Sequence, residues 1–387
     1  MLKLFHIRGK TTTADGHQKT PIWILNLLVL PQNIYSGVEL LLFDPRPKTS
    51  RSELFGRDRE LELLHANIDV PVITISGIRR IGKTSLLNVF LSEVDIPSVI
   101  VDLRDLRANY GLRDLYSLLS KAFSSGLDRL HDLLRSISGI SIKGVEVEIK
   151  WKGRGALTLS SLFDALNRRR IIIAFDEAQK LRGPRSQEFL NALAHAYDYD
   201  RNITFILTGS EVGLLYGLLG IDKPGSPLYG RYCFNLKLER FNEDVSREFL
   251  EAGFKELGMD VEREVIEKAV EEFDGIPGWL TFFGNEYARG SRDIDRIKKL
   301  AVDIALRELE NIVRERGRRY AYVLKGIAEG VRTWNSLKRY VEEKEGTVIS
   351  SSILHNILKN LEDMSIIYNY QFLDPIYREA SLRVRAD

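Results

Sequence analysis

From about Val38 onward the apolar residues fall into two alternating patterns. Short runs rich in β-branched residues read as strands: Val70–Ser76, Pro97–Leu103, Ile171–Phe175, Ile203–Thr208 and Tyr232–Leu238. Between them, Leu61, Leu63 and Leu64 recur at helical spacing, as do the apolar positions of Thr84–Val94, Leu112–Phe123, Leu127–Ile137 and Ser186–Tyr197. Strands apolar on both faces, alternating with helices, predict a parallel sheet sandwiched between helices. Ile140–Trp151 breaks the pattern by alternating within each arm around Lys143-Gly144. That predicts a hairpin over 139–152, solvated on one face and extending from the domain edge.

After Phe241 the pattern turns helical, with Val245–Leu257, Val261–Phe273, the turn Asp274–Gly278 and the charge-laced Arg296–Arg316. The last stretch predicts three helices, Tyr320–Glu329, Thr333–Glu343 and Ser350–Met364, and then an alternating ribbon, Ile366–Phe372. Three helices and a ribbon are the order of a winged helix-turn-helix. The expected divisions are an extension of unknown role (1–37), an α/β domain (38–240), a helical lid (241–313) and a winged helix (314–387).

Composition narrows the class. The 387 residues carry 56 basic and 54 acidic side chains, which excludes both a uniform polycation and an acidic disordered tail. The single cysteine, Cys233, excludes an internal disulfide and reads as core within its strand. The apolar run Ile22–Leu30 is shorter than a bilayer span and contains Asn26. It fits a buried strand or a partner-binding patch better than a signal peptide. A cytoplasmic protein with no membrane partner is expected. The histidines (His6, His17, His65, His131, His195, His355) are scattered, so no His-based metal site is readable.

The chemistry begins at Gly77-Ile78-Arg79-Arg80-Ile81-Gly82-Lys83-Thr84, which fits G-x-x-x-x-G-K-[ST] between a predicted strand and a predicted helix. Such a loop, Gly77 through Ser85, folds its N–H groups around phosphates to bind the nucleotide and adds the positive end of the helix that follows. Lys83 would reach the β/γ-phosphates and Thr84 would ligate Mg²⁺. A second carboxylate is expected at another strand tip, and Asp176-Glu177 supplies it. Asp176 would hold Mg²⁺ and Glu177 would act as general base; an acidic helix cap is the plainer alternative. Thr208 and Ser210 end the next strand and could sense the γ-phosphate, orient water or simply form a turn. Arg231, after Tyr229-Gly230, could place a guanidinium on the transferring phosphate or serve a surface ion pair.

With Phe55-Gly56-Arg57 before the first helix and Gly275-Ile276-Pro277-Gly278-Trp279 in the lid, these motifs resemble the archaeal P-loop ATPases of the AAA+/STAND-like group. The resemblance runs from about Leu42 to Phe372. It implies an AAA+-type (ASCE) P-loop NTPase sheet, with a strand inserted between the P-loop strand and the Asp176-Glu177 strand. It implies ATP/ADP and Mg²⁺ as ligands, with Phe55, Gly56, Arg57 and Pro277 flanking adenine and ribose.

The tail is less telling. Residues 314–387 hold 13 Lys and Arg against 10 Asp and Glu, and the third helix carries few cations. Double-stranded DNA and an unknown protein client, or an autoinhibitory role, remain open as partners of the winged helix. The function expected is an ATPase coupling nucleotide state to domain rearrangement. The alternatives are a switch with little turnover and a DNA-binding ATPase. The oligomeric state is not readable.

Overall fold

The computed structural model describes residues 42–386. In chain order the first part comprises α1 (Asp58–Ala66), β1 (Val72–Ser76), α2 (Lys83–Glu93), β2 (Ser98–Asp102), α3 (Leu112–Ser125), α4 (Leu127–Arg135), β3 (Ile140–Lys143) and β4 (Glu146–Ile149). It continues with α5 (Leu159–Leu166), β5 (Ile171–Asp176), α6 (Ser186–Tyr199), β6 (Ile203–Gly209), α7 (Val212–Leu219) and β7 (Phe234–Lys237). The lid helices are α8 (Glu243–Glu256), α9 (Arg263–Phe273), α10 (Pro277–Ala288) and α11 (Ile294–Arg316). The tail adds α12 (Arg319–Ala328), α13 (Trp334–Glu345), α14 (Ser351–Asp363), the ribbon β8 (Ile367–Tyr368) and β9 (Gln371–Phe372), and α15 (Pro375–Ser381).

Five parallel strands form one sheet in the order β2-β5-β6-β1-β7. Every residue of β1, β5 and β6 is buried, as strands covered on both faces require. The inserted strand expected from the resemblance is β6, between β1 and β5. Because the strands are parallel, the segments following β1, β5 and β6 emerge side by side at one edge of the sheet. Parallel sheets offer their ligand crevice at that carboxyl edge.

The hairpin does not extend freely. Val147 and Ile149 are buried, and their N–H groups donate to Ser124 and Ser120 of α3 at 2.8 and 3.1 Å. Two α3 hydroxyls thus satisfy the open edge of β4, which would otherwise attract another strand. The other face is solvated, with Ser141, Lys143, Glu146 and Glu148 exposed along the arms and Val145 at the turn.

The lid and the winged helix share one apolar cluster, reaching from Leu42 and Phe43 through α8–α11 to Val384. The 23-residue α11 runs through the expected 313/314 division, so that boundary lies inside a continuous helix. Phe43 likewise belongs with the lid, not with the sheet. Its ring fills the space beside Gly253 of α8 and Gly284 of α10, where added Cβ atoms would come within 2.3 and 2.4 Å of ring carbons. Asn285 Nδ2 donates to the Phe43 carbonyl at 2.9 Å. The wing is closed by Asn369 and Tyr370, both at positive φ, as a two-residue hairpin turn demands.

Candidate functional site

Gly77–Thr84 links the end of β1 to the start of α2. Gly82 caps that helix at φ 99°, a conformation that strains a side-chain-bearing residue. Arg80 adopts φ 64° despite its Cβ and is held there from outside. Its carbonyl accepts from Gly278 N at the start of α10 (2.9 Å), and its guanidinium lies 4.1 Å over the Trp279 ring. A Cβ at Gly278 would fall 2.6 Å from that of Arg80, so only glycine permits this approach.

Lys83 is buried and donates to the carbonyls of Gly77 and Ile78, both at 3.0 Å. Burial pushes its ammonium down to about 8, against the upward pull of Glu177 and Asp176. Thr84 donates to Asp176 Oδ2 at 3.0 Å. Thr208 donates to Asp176 Oδ1 and accepts from the Glu177 N–H at 3.0 Å. Burial raises the Asp176 carboxyl above its ordinary value despite the hydrogen bond from Thr208.

Glu177 sits at φ 58°. Ser210 Oγ (2.6 Å) and Gln179 Nε2 both donate to its Oε2. Burial works to raise its carboxyl, but Lys83, those two hydrogen bonds and Arg79 together hold it below the ordinary value. It is therefore a carboxylate at neutral pH, restrained through one oxygen.

A cleft of about 570 Å³ opens over these groups, within the range of small-ligand pockets. The strap Asp44–Lys48 borders it, tied across by Lys48 N donating to Ser85 Oγ at 3.1 Å. Phe55, Phe241, Phe249, Phe282 and Pro277 supply an apolar end. Gly56 lies beside Phe241 and Val245. Arg57 also borders the cleft, but its guanidinium donates to the carbonyls of Glu239 (2.8 Å) and Ile81 (3.2 Å) and pairs with Glu60. Its geometry braces the loop.

The two loop arginines face the lid and tail. Arg80 pairs with Glu308 of α11 at 2.8 Å. Arg79 pairs with Glu211 and Glu308 at 3.3 and 3.4 Å. Tyr377 of α15 donates to the same Glu308, and Trp279 Nε1 donates to Asp374, the cap of α15, at 2.8 Å. Loop, lid and winged helix therefore meet in one hydrogen-bonded chain.

Arg231 is the exception among the expected site residues. It precedes β7, whose Phe234 pairs with Ile73, whereas the phosphate loop follows Ser76 at the other end of β1. By strand rise the two lie about 20 Å apart. Arg231 instead pairs with Asp198 (2.6 Å) and donates to the Pro227 carbonyl. Of the two readings offered for it, this geometry matches the ion pair. The Thr208 and Ser210 hydroxyls, expected near the γ-phosphate, donate to Asp176 and Glu177.

Sequence reasoning missed Gln179, Arg104 and Glu308 as cleft residues, although all three border it. Gln179 stood within the quoted Asp176-Glu177-Ala178-Gln179 run, two positions past the carboxylate that it holds. Among the described residues no cluster of His, Cys, Asp and Glu could hold a metal alone, and no helix is long and apolar enough to cross a membrane.

Residues 54–283 match the family described as an ATPase domain predominantly from Archaea. Residues 314–379 match the C-terminal winged helix-turn-helix domain of MCM proteins. No curated protein matches the chain. Among solved structures, the Walker-type ATPase PABY2304 of Pyrococcus abyssi is 37% identical, with a TM-score of 0.75 over 89% of this chain and 100% of that one. The Aeropyrum pernix ORC1 protein, solved in complex with DNA, is 17% identical with a TM-score of 0.45, covering 84% of this chain and 87% of its own. Thermotoga maritima RuvB, as its T158V variant, is 15% identical with a TM-score of 0.43 over 85% and 93%.

Proposed function

We propose, from the premise that this chain belongs to the predominantly archaeal ATPase family, that it binds and hydrolyses ATP and couples nucleotide state to the arrangement of its lid and winged helix. The observation that carries this reading is the convergence of Lys83, Thr84, Asp176 and Glu177 at one sheet edge, with the acidic pair oriented by Thr208, Ser210 and Gln179.

Lys83 and the loop N–H groups hold the phosphates, displacing the lysine from the loop carbonyls it now caps. The Thr84 hydroxyl and Asp176 carboxylate form a hard oxygen pair 3.0 Å apart, suited to Mg²⁺, which usually takes one or two protein oxygens alongside phosphates and water. That ion would neutralise charge on the β- and γ-phosphates. Glu177 turns its clamped Oε2 to the protein, while Oε1 has no protein donor among the described residues. Through Oε1 it can accept a proton from the water that attacks the γ-phosphorus. Phe55, Pro277 and the Phe241–Phe249 pair form an apolar end suited to adenine.

Coupling rests on Arg79 and Arg80, which flank the phosphate position while held by Glu308. Anionic phosphates compete with Glu308 for these guanidiniums, so filling the cradle loosens a bridge that also holds Tyr377. This supports the switch reading as well as turnover. DNA recognition by the winged helix has weaker support. The exposed face of α14 presents Ser351, Ser352, His355, Asn356 and Lys359, and Lys359 is paired with Asp363 at 3.3 Å.

Single-turnover hydrolysis of labelled ATP, by wild type and Glu177→Gln, with and without duplex DNA, tests the reading. Turnover that vanishes in the variant supports it. Tight ATP binding without turnover in wild type would leave the switch. Stimulation by duplex DNA would restore the winged helix as a nucleic-acid module.

A further inference from the structure

Beyond Arg79, Gln179, Lys180 and Glu308 the nucleotide cleft continues into a second cleft of about 600 Å³. Its walls are the 3-10 turn Ala178–Leu181, the lid helix α11 and the helix α14. Leu214, Ile312, Met364 and Ile366 give it an apolar floor. Three exposed cations, Lys180, Arg182 and Arg316, stand around it without a carboxylate partner among the described residues. Two of the carboxylates along the same walls, Glu211 and Glu308, are engaged by Arg79 and Arg80, which leaves only Glu315 to oppose these cations.

We infer that this cleft is the docking site for an acidic, apolar peptide segment of a partner protein, and that Gln179 transmits its occupancy to Glu177. An apolar floor beneath unpaired cations complements a segment that interleaves carboxylates with aliphatic side chains. Single-stranded nucleic acid fits less well, because it needs aromatic faces on which bases stack. Among the described residues the sole aromatic side chain on these walls is Tyr377, which is buried and bonded to Glu308.

Gln179 is the physical link. It lines both clefts, and its Nε2 donates to Glu177 Oε2 and to Ser210 Oγ at 3.3 Å. Its Oε1 is buried without a hydrogen-bond donor, so the side chain is held by one end only. A peptide that shifts Ala178–Leu181 moves Gln179 and loosens the hold on the carboxylate. Gln179 is thus a positioning residue for Glu177. This link rests on the ATPase reading, whereas the docking does not.

Docking is tested on the full chain without nucleotide, by fluorescence anisotropy. The probes are a fluorescein-labelled peptide of alternating Glu and Leu, its Lys-Leu counterpart, and labelled oligothymidylate. The Glu-Leu peptide should bind in preference to both others, and Arg182→Glu with Arg316→Glu should weaken it by about tenfold or more. No binding, equal binding by the double variant, or preference for oligothymidylate would each overturn the site. The link is tested by single-turnover hydrolysis, where bound Glu-Leu peptide should lower the rate in wild type but not in Gln179→Met. A rate unmoved by bound peptide overturns the route through Gln179. Absence of any turnover in wild type overturns it too, and sinks the ATPase reading itself, while the anisotropy result stands.

Discussion

At the carboxyl edge of the sheet, Lys83, Asp176, Gln179, Thr208 and Ser210 are buried polar side chains bonded to neighbouring polar groups. On α14 the side chains of Ser351, Ser352, His355, Asn356 and Lys359 face solvent. The difference is energetic. Burying a polar group costs free energy unless it is bonded, so a buried cluster of this kind persists only where most of its partners are specified, Gln179 Oε1 being the one atom of the five side chains buried without a donor. A polar helix face in water costs nothing and records little about what it meets. The strand-end cluster therefore speaks about chemistry, whereas α14 is equally consistent with DNA, protein or solvent.

The strongest attack on that contrast is Glu177→Gln. The Thr84–Asp176 pair survives it, so ATP affinity should change by less than about threefold while single-turnover rate falls by about 100-fold or more. Lys83→Ala comes next. Removing the buried ammonium should weaken ATP binding by about a hundredfold, close to 2.7 kcal/mol. Calorimetric titration reads this directly, and unchanged affinity would make the cradle no more informative than α14.

The pH profile sharpens the point. Burial holds Lys83 near pKa 8 before ligand binds, so below about pH 8 the ammonium is already charged. Above that, binding a polyanion must also take up a proton. Affinity should be level below about pH 8 and fall by up to tenfold per unit above it. A profile level to pH 10 would remove Lys83 from the phosphate site.

Smaller effects are expected away from the cluster. Gly284→Ala drives a Cβ into the Phe43 ring and should lower stability by about 1–3 kcal/mol in denaturant titrations, with nucleotide chemistry intact at permissive temperature. Arg231→Ala removes a partly exposed ion pair and should shift stability by less than about 1 kcal/mol, leaving single-turnover hydrolysis unchanged. A loss of hydrolysis in Arg231→Ala would return that residue to the phosphate despite its place at the opposite end of the sheet.

Much of the site was legible because its members are contiguous. Gly77–Thr84 and Asp176-Glu177 each lie within one run, and strand pattern alone puts both at strand ends. Gln179 was hidden because its contact with Glu177 needs the turn at φ 58° and the Ser210 hydroxyl from the next strand. Short elements were hidden for a different reason. The helix α5 has eight residues, α15 seven, and α7 carries two glycines in an almost wholly apolar stretch, leaving too little periodicity to read.

By itself the sequence determined a parallel sheet with a phosphate loop, an acidic pair at the tip of another strand, a helical lid and a winged helix, because local periodicity and contiguous motifs encode each one. Tertiary structure alone decided which side chains meet. It set Arg231 at the far end of β7, seated Phe43 in the lid through Gly253 and Gly284, and joined Arg79 and Arg80 to Glu308 and Tyr377. Those contacts link residues far apart in the chain, and their partners are chosen by packing and charge in three dimensions, which no one-dimensional spacing records.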